Sequence, residues 1–414
     1  MTRREIDSPY AWFRLGVSML LATIGGVGMW SVVVVLPTVQ AEFGVDRAGA
    51  SLPFTLTMIG FGVGGAIMGR IADKVGIVLP VMVGATALGI GYMLASLAGD
   101  ITQFALIYGL LIGLTGTATT FAPLLADISH WFEKRRGIAV ALCASGNYIG
   151  GAIWPTVIEY FVREVGWRET HLWIGVFCLV TMVPLSLLLR GSGPVHAPGS
   201  APPAGPRMGM LGLSPRTLQA LLCLAGVSCC VAMSMPQVHI VAYCGDLGYG
   251  VARGAQMLSL MLGFGIVSRI ASGLLADRIG GLWTLMIGSV AQGTALCLYM
   301  VTDALVPLYV ISAMFGLFQG GIVPSYALVI RDCYPAREAG ARVGIVMMMT
   351  ILGMALGGWM SGMIFDLTGS YMAAFANGMI WNGLNMAIAL FLLLRRRQMD
   401  AARGGVTQPS FTSS

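Results

Sequence analysis

Twelve stretches of this chain are apolar for long enough to cross a lipid bilayer, which settles the class of fold before any motif is read. A helix needs about 20 mostly apolar residues to cross roughly 30 Å of hydrocarbon. Runs of that order lie at about 12–36, 51–72, 77–98, 102–126, 137–161, 170–190, 216–242, 252–276, 282–301, 304–330, 341–365 and 371–394. The chain is 57% hydrophobic and only 10% charged, where soluble domains carry about 25% charged residues. Its mean hydropathy is +0.81. The expected fold class is therefore all-α and integral to the membrane. The first run exceeds a signal-peptide core and lacks a small-x-small cleavage site, so it is expected to remain as a helix. The 57 glycines suit close helix contacts, as at Gly60, Gly62, Gly64 and Gly65.

The charges that remain follow topology. If both termini lie on one side, 19 of the 24 Lys and Arg residues fall in the termini and even-to-odd connections, four fall on the other side (Arg47, Arg163, Arg168, Arg253) and one, Arg269, is embedded. The positive-inside rule then places both termini in the cytoplasm, with a cytoplasmic (inner) membrane location. The net charge of +6 is accounted for in this way, and no nucleic-acid partner is implied. The eight cysteines form no CxxC pair and read as small packing residues. No metal or cofactor is expected.

The apolar pattern breaks once, at residues 191–215, where GSGPVHAPGSAPPAGPRMGMLGLSP holds six Pro and six Gly. This composition predicts a flexible linker. It divides the chain into an N-terminal six-helix bundle (1–190), the linker (191–215), a C-terminal six-helix bundle (216–397) and a tail (398–414). The halves repeat each other. GRIADKVG follows the second run and GLLADRIG the eighth, 204 residues apart. Gly69 and Gly76, like Gly273 and Gly280, permit a tight turn. Asp73 and Asp277 suit a helix N-terminus, and Lys74 and Arg278 suit a carboxylate partner.

Arg269 is the only charge between Ala255 and Ala276. A guanidinium near the centre of a membrane helix costs roughly 2.5–3.5 kcal/mol, so such groups face a bundle interior or a wet cavity. An anionic ligand that comes and goes would explain it. The alternative is a structural Arg bonded to carbonyls or snorkelling to the surface. Arg269 is eight residues from Asp277, about 12 Å along a helix, which is long for snorkelling.

The repeated loop resembles that of the major facilitator superfamily, matched by Gly69, Asp73, Lys74 and Gly76 and again by Gly273, Asp277, Arg278 and Gly280. The resemblance implies two pseudo-symmetric six-helix bundles, a central cavity and alternating access. Three further stretches resemble the monocarboxylate transporter and oxalate/formate antiporter branch, especially its bacterial members. They are WFEKRRGIAVALCASGNYIGGAIWP from Trp131, GWRETHLW from Gly166 and VHIVAYCGDLG from Val238. In that branch Arg269 matches the carboxylate-binding Arg. The chain also departs from the branch. Animal carriers resemble Asp-x-x-x-Arg in the eighth span, whereas Gly265 stands four residues before Arg269 here. Pro37–Thr38 stands where they carry Pro-Lys. The eleventh run contains no cation of the kind the oxalate antiporters resemble. One cation favours one carboxylate over two, and proton coupling lacks an obvious acidic carrier.

Other polar residues in apolar runs are Asn147 and Tyr148, Gln237 and His239, and Gln319 and Tyr326. Each either donates to a bound carboxylate or bridges helices, a contact worth about 0.6 kcal/mol on average. Histidine titrates near physiological pH, so His239 is expected as a gate or proton acceptor, with a structural His bonded to a neighbouring helix as the alternative. Trp30 is expected to wall the cavity, or else to pack in the core. The substrate-binding candidates are thus Arg269, Asn147, Tyr148, Gln319, Tyr326 and Trp30.

The expected function is secondary transport of a small organic anion, a monocarboxylate, by proton symport or anion exchange, by a monomer. Multidrug efflux is the alternative within the fold, and a non-transporting receptor is the rival from another class. No GxxxxGK[ST], HExxH or GxSxG occurs, so neither ATP-driven transport nor an enzyme is expected. The topology makes a direct prediction. Ser200→Cys, in a background with the native cysteines replaced, should be labelled in intact cells only by a membrane-permeant thiol reagent. Efficient labelling by an impermeant one would reverse the orientation.

Overall fold

Where water cannot reach the backbone, helices satisfy their own N–H and C=O groups. The computed structural model describes residues 6–191 and 211–404, and all the regular elements there are helical. Residues 192–210 of the Pro-rich stretch and 405–414 of the tail lie outside the described residues. The twelve membrane-length helices are α1 (Pro9–Phe43), α2 (Arg47–Val75), α3 (Val78–Ala95), α4 (Ile101–Trp131), α5 (Arg136–Val165) and α6 (Trp167–Leu187) in the first half. In the second half they are α7 (Pro215–Asp246), α8 (Val251–Ile279), α9 (Gly281–Tyr299), α10 (Leu305–Cys333), α11 (Ala336–Thr368) and α12 (Tyr371–Gly404). All twelve expected spans are present. The last helix runs on to Gly404, past the residue at which the tail was expected to begin.

Local chemistry sets several helix ends. Asp46 and Asp100 cap α2 and α4, accepting from Gly49 N and Gln103 N at 2.7 and 2.9 Å, and Ser214 caps α7 through Thr217 N. These bonds satisfy amides that have no partner within the helix. Three helices are interrupted. In α1 the break falls at Gly26, in α4 at Phe121 after a π-helical stretch, and in α10 at Gly320–Gly321. Adjacent glycines at two of these breaks match the low helix propensity of glycine.

Helices α1–α6 pack as one bundle and α7–α12 as a second, and the bundles meet where α2 lies along α11 and α5 along α8. Inside each bundle small residues bring backbones together. A Cβ on Gly64 of α2 would fall 2.7 Å from the Leu114 carbonyl carbon of α4, and one on Gly316 of α10 as close to that of Met261 on α8. Larger residues there would force the helices apart.

The first bundle is pinned by a buried fork. Arg14 donates to both carboxylate oxygens of Asp127 at 2.8 and 2.9 Å and to Leu189 O at 2.9 Å, and its guanidinium lies 4.6 Å from the Trp131 ring centroid. At the opposite end the GWRETHLW stretch has a structural use. Trp167 and Arg168 both donate to Glu42, Arg168 also donates to Ser96 O, and His171 lies between Trp167 O and the Tyr108 hydroxyl.

Hydrogen bonds between the bundles gather, among the described residues, toward the end away from the termini. Asp366 of α11 caps α2 by accepting from Arg47 N and Ala48 N at 2.8 and 2.7 Å, and the Arg47 guanidinium reaches Asp246 of α7 at 2.7 Å. Thr55 donates to Ala355 O, and the Thr156 and Ser259 hydroxyls are hydrogen-bonded to each other across α5 and α8. The α2–α11 contact continues inward to Gly62, where a Cβ would sit 3.3 Å from Ile351. Farther along, a Cβ on Gly69, Gly340 or Gly344 would meet nothing within 4 Å. The molecule is thus closed at the Arg47 end and parted at the end that carries the termini.

Asp127→Asn leaves the buried Arg14 without its counter-charge, and breaking such pairs costs about 3–5 kcal/mol. Thermal unfolding of the purified variant should show this as a large loss of stability; a melting temperature within a degree or so of the parent would contradict the pinning role.

Candidate substrate site

Arg269 lies 18 residues into the 29-residue α8, about 15 Å from its Ile279 end at 1.5 Å per residue. It faces α5 of the other bundle. Its guanidinium carbon is 4.1 Å from the centroid of the Tyr148 ring, close enough for a cation–π contact. It makes no ion pair among the described residues, and its Nε is buried without a protein partner. A guanidinium has five N–H donors in one plane. The ring covers a face of that plane, so the donors along its edge remain available.

Gly265 makes this stacking possible. It sits one turn before Arg269, and a Cβ there would fall 2.6 Å from Tyr148 Cδ1. The ring from one bundle seats in a notch on the other. The absence of a side chain at Gly265, which from sequence was only a missing acid, is therefore a packing requirement.

Four other residues come to the same region. Gly151, one turn beyond Tyr148, faces Leu262 of α8 and Trp30 of α1; its Cβ would lie 2.9 Å from Trp30 Nε1. That indole N–H is buried and has no protein partner. Asn147 faces the α1 break, where a Gly26 Cβ would be 3.0 Å from its Oδ1, an atom also left without a partner. Gln319 ends the first part of α10, and both of its amide atoms are buried and unpartnered. The following residue, Gly320, packs on Gly265 O and Ser268 of α8. The Ser268 hydroxyl, which the sequence reading missed, is likewise buried and unpartnered. Each buried polar group left unpaired costs about 1–3 kcal/mol; such groups occur on the helices around Arg269 and also elsewhere in the bundles, as at Ser18, Thr117 and Ser361.

Two of the expected site residues lie elsewhere. Tyr326 is inside the second bundle, its hydroxyl 2.7 Å from Asn385 Oδ1 and 3.0 Å from Ala225 O, with Asn385 donating onward to Ser289 Oγ. These bonds occupy it as a structural bridge. His239 belongs to the closed end. Its Nε2 is 2.8 Å from Gly358 O on α11, its Nδ1 has no protein partner, and its ring neighbours that of Tyr371, which is in turn near Arg47. Gln237, on the same helix, is buried with Oε1 unpartnered. A groove of about 450 Å³ lined by Thr156, Gln256, Ser259, Phe264 and Val267 also lies between α5 and α8. It runs along the other face of α8 and does not include Arg269.

The repeated loops have matching geometry. Gly76 has φ 83° and ψ 168°, Gly280 has φ 85° and ψ 163°, and each donates its N–H to the carbonyl four residues back at 2.9 Å. Only glycine takes such angles without strain. Gly69 and Gly273 open onto free space, and Asp73, Lys74, Asp277 and Arg278 are exposed at the parted end. Among the described residues neither Asp caps a helix in this conformation.

This frame is one shared with known proteins. The sequence profile described as Major Facilitator Superfamily matches residues 18–305 and 264–410. The chain belongs to the major facilitator superfamily. It is a multi-pass membrane transporter of that family. It is 29% identical over 328 residues to "Monocarboxylate transporter 13" of Bos taurus, covering 79% of this chain and 75% of that protein. It is 26% identical over 306 residues to "MFS-type transporter pynF" of Aspergillus niger, covering 73% and 69%. A crystal structure of the nucleoside transporter NupG superposes with a TM-score of 0.70 at 15% identity, over 93% of this chain and 99% of that one; at that identity the likeness concerns the fold.

For this superfamily transporter the notch makes a stability prediction. Gly265→Val should lower stability by about 1–3 kcal/mol through overpacking. Most of that loss should disappear when the same change is made in a Tyr148→Ala background, as a double-mutant cycle of thermal unfolding would reveal. Additive effects would mean that the ring does not occupy the notch.

Proposed function

We propose that this transporter carries a small organic anion with one carboxylate, a monocarboxylate, through the seam between its bundles. The observation that carries this reading is Arg269, a cation deep in α8 with no anionic partner and with Tyr148 stacked on it. A carboxylate can accept two parallel N–H bonds from the free edge of the guanidinium, and charge-assisted pairs of this kind are about twice as strong as neutral ones. In this reading the indole N–H of Trp30, the amides of Asn147 and Gln319, and the Ser268 hydroxyl bind the remainder of the molecule. A lone cation disfavours cationic drugs by direct repulsion, so efflux of such compounds fits the site less well. Transport by alternating access is reversible, and the direction of flux follows the gradients rather than the site.

The excess of basic residues at the end carrying the termini supports a cytoplasmic location for that end in an inner membrane. The conformation described above is then open to the cytoplasm. Arg47, Asp246 and Asp366 close the outer side, and His239 acts there as part of the gate. Asp73 and Asp277 act as latches that engage when the cytoplasmic side closes. The unit of function is the monomer, and the driving force is a proton gradient or a counter-moving anion.

The purified protein should melt at a higher temperature with a bound monocarboxylate, because a ligand selective for the folded state stabilises it. Arg269→Ala should remove that shift and abolish transport while leaving the fold intact, since it deletes an unpaired charge. Arg269→Lys should fail to restore transport, because Lys keeps the charge and loses the planar fork. Normal carboxylate binding and uptake by the Ala variant would make Arg269 structural and end this reading. A second test concerns the latches. Asp73→Asn should slow turnover more than it weakens binding, and unchanged turnover of a stably folded variant would rule the latch out.

A further inference from the structure

Helices α9 and α12 of the second bundle are stapled together near the middle of α9. Asn382 of α12 donates to Ser289 O at 2.9 Å, and Asn385 donates to Ser289 Oγ at 2.7 Å. Gly293 lets the helices approach, since a Cβ there would fall 2.7 Å from Asn382 Nδ2. From the staple toward the end carrying the termini, the two helices leave a groove of about 290 Å³ between them. Its walls are Trp283 and Met286 of α9 and Met386, Ala387 and Leu390 of α12, and Arg397 stands at its rim. The α12 positions recur at helical spacing, so one face of that helix lines the groove from end to end. Ala387 and Leu390 are exposed on the outside of the bundle, where the surroundings are lipid.

The groove has the depth of a single leaflet. Met386 and Arg397 are eleven residues apart, about 16 Å at helical rise, and half of a hydrocarbon core is about 15 Å. It is closed at the base by the asparagine bonds, apolar along its length, and ended by a cation at the level of the headgroups.

The rim carries excess positive charge. Arg395, Arg396 and Arg397 are consecutive, and among the described residues the carboxylate paired with this cluster is Asp400, 3.8 Å from Arg396. Arg396 also lies against the α8–α9 turn, where a Cβ on Gly280 would be 3.5 Å from its Nη1. Arg397 makes no ion pair among the described residues. Its guanidinium carbon is 5.4 Å from the centroid of the Trp283 ring, within cation–π range. The ring holds one face of the guanidinium over the mouth of the groove and leaves the donors along its edge free. Such an edge takes a phosphate through two parallel hydrogen bonds, and an indole suits the headgroup level of a membrane.

We propose that this groove binds one anionic phospholipid of the leaflet on the side of the termini, with an acyl chain lying between α9 and α12 and the phosphate on Arg397. Both parts of such a molecule are matched: the chain by a leaflet-deep apolar wall, the headgroup by an unpaired arginine in a basic cluster, the kind of pocket that suits anionic headgroups. A second copy of this chain fits less well. A helix with its side chains is about 10–12 Å across, wide for this groove, and a twofold contact here would set the two arginine clusters against each other. The lipid joins α9 to α12 over the stretch beyond the asparagine bonds, so it stabilises the second bundle. The site is independent of Arg269 and of what the protein carries.

The test uses the purified full chain, delipidated in detergent and offered equal amounts of phosphatidylglycerol and zwitterionic phosphatidylcholine with the same acyl chains. Native mass spectrometry reads which lipid stays bound. The parent should retain phosphatidylglycerol over phosphatidylcholine by about fivefold or more, the contribution of one basic residue at a membrane surface. Arg397→Ala should lose that preference, whereas Arg70→Ala, which removes a basic residue of the first bundle, should keep it. Ala387→Phe fills the groove and should lower retention of both lipids while Arg397 is intact. Phosphatidylglycerol should also raise the melting temperature of the parent and not that of Arg397→Ala. Equal retention of the two lipids by the parent, or an undiminished preference in folded Arg397→Ala, would overturn the site. Dimers that persist without lipid and separate in Ala387→Phe would make a second copy the occupant. Adducts that form only after residues 405–414 are removed would make the tail the occupant. Either result would overturn the lipid.

Discussion

Inside a bilayer, protein is the only source of hydrogen bonds and counter-charges, and this constraint sorts nearly every polar residue of the molecule. The structural cations Arg14 and Arg47 are each paired with a carboxylate. Arg14 has both oxygens of Asp127, a carbonyl and an indole face, and Arg47 has a carboxylate and two aromatic rings. Polar groups used to join helices are likewise answered, as in the bonds of Tyr326, Asn385 and Ser289. Arg269, Trp30, Asn147, Gln319 and Ser268 keep buried atoms without a protein partner, as do Ser18, Thr117, Gln237 and Ser361, and of these Arg269 alone is a cation, with no carboxylate on it among the described residues.

The architecture explains why Arg269 meets the other bundle. Each bundle is made stiff by helices that approach at glycines, and the bundles touch along α2–α11 and α5–α8. The breaks in α1 and α10 bring Gly26 and Gly320 to this seam, one facing Asn147 and the other Ser268. A break in a buried helix frees backbone groups that protein must satisfy or a cavity must hydrate, so such breaks gather beside a solvent-accessible path.

Much of this was legible in the sequence, because the signals were long or repeated. Twelve apolar runs, one Pro-rich interruption and two copies of a loop define a frame that local details cannot alter. Arg269 was legible for the same reason, being a single charge in a long apolar context. The side chains around it were harder to sort. Tyr326 and Tyr148 are both tyrosines in apolar helices, and nothing local distinguishes a hydroxyl that bridges helices from a ring that stacks on a cation. That difference depends on which helix lies opposite. Gly265 was noticed as a departure from Asp-x-x-x-Arg, but its use as a seat for Tyr148 involves a residue 117 positions away. The paired glycines at positions 25–26 and 320–321 were the available signal for the breaks.

The seam has two sides related by the repeat, and they are not equivalent. On one, the notch at Gly265 receives Tyr148 beside Arg269; on the other, Gly62 faces Ile351. With the halves 204 residues out of step, these contacts correspond to within one residue. At the positions that match Gly265 and Arg269, the first half carries Phe61 and Gly65. A duplicated ancestor with two like halves would have carried two cationic notches or none. A ring seated beside a cation stands on one side of the seam and an aliphatic contact on the other. The frame is therefore twofold in shape and single in charge, with a cation at one of the two matching positions and a glycine at the other.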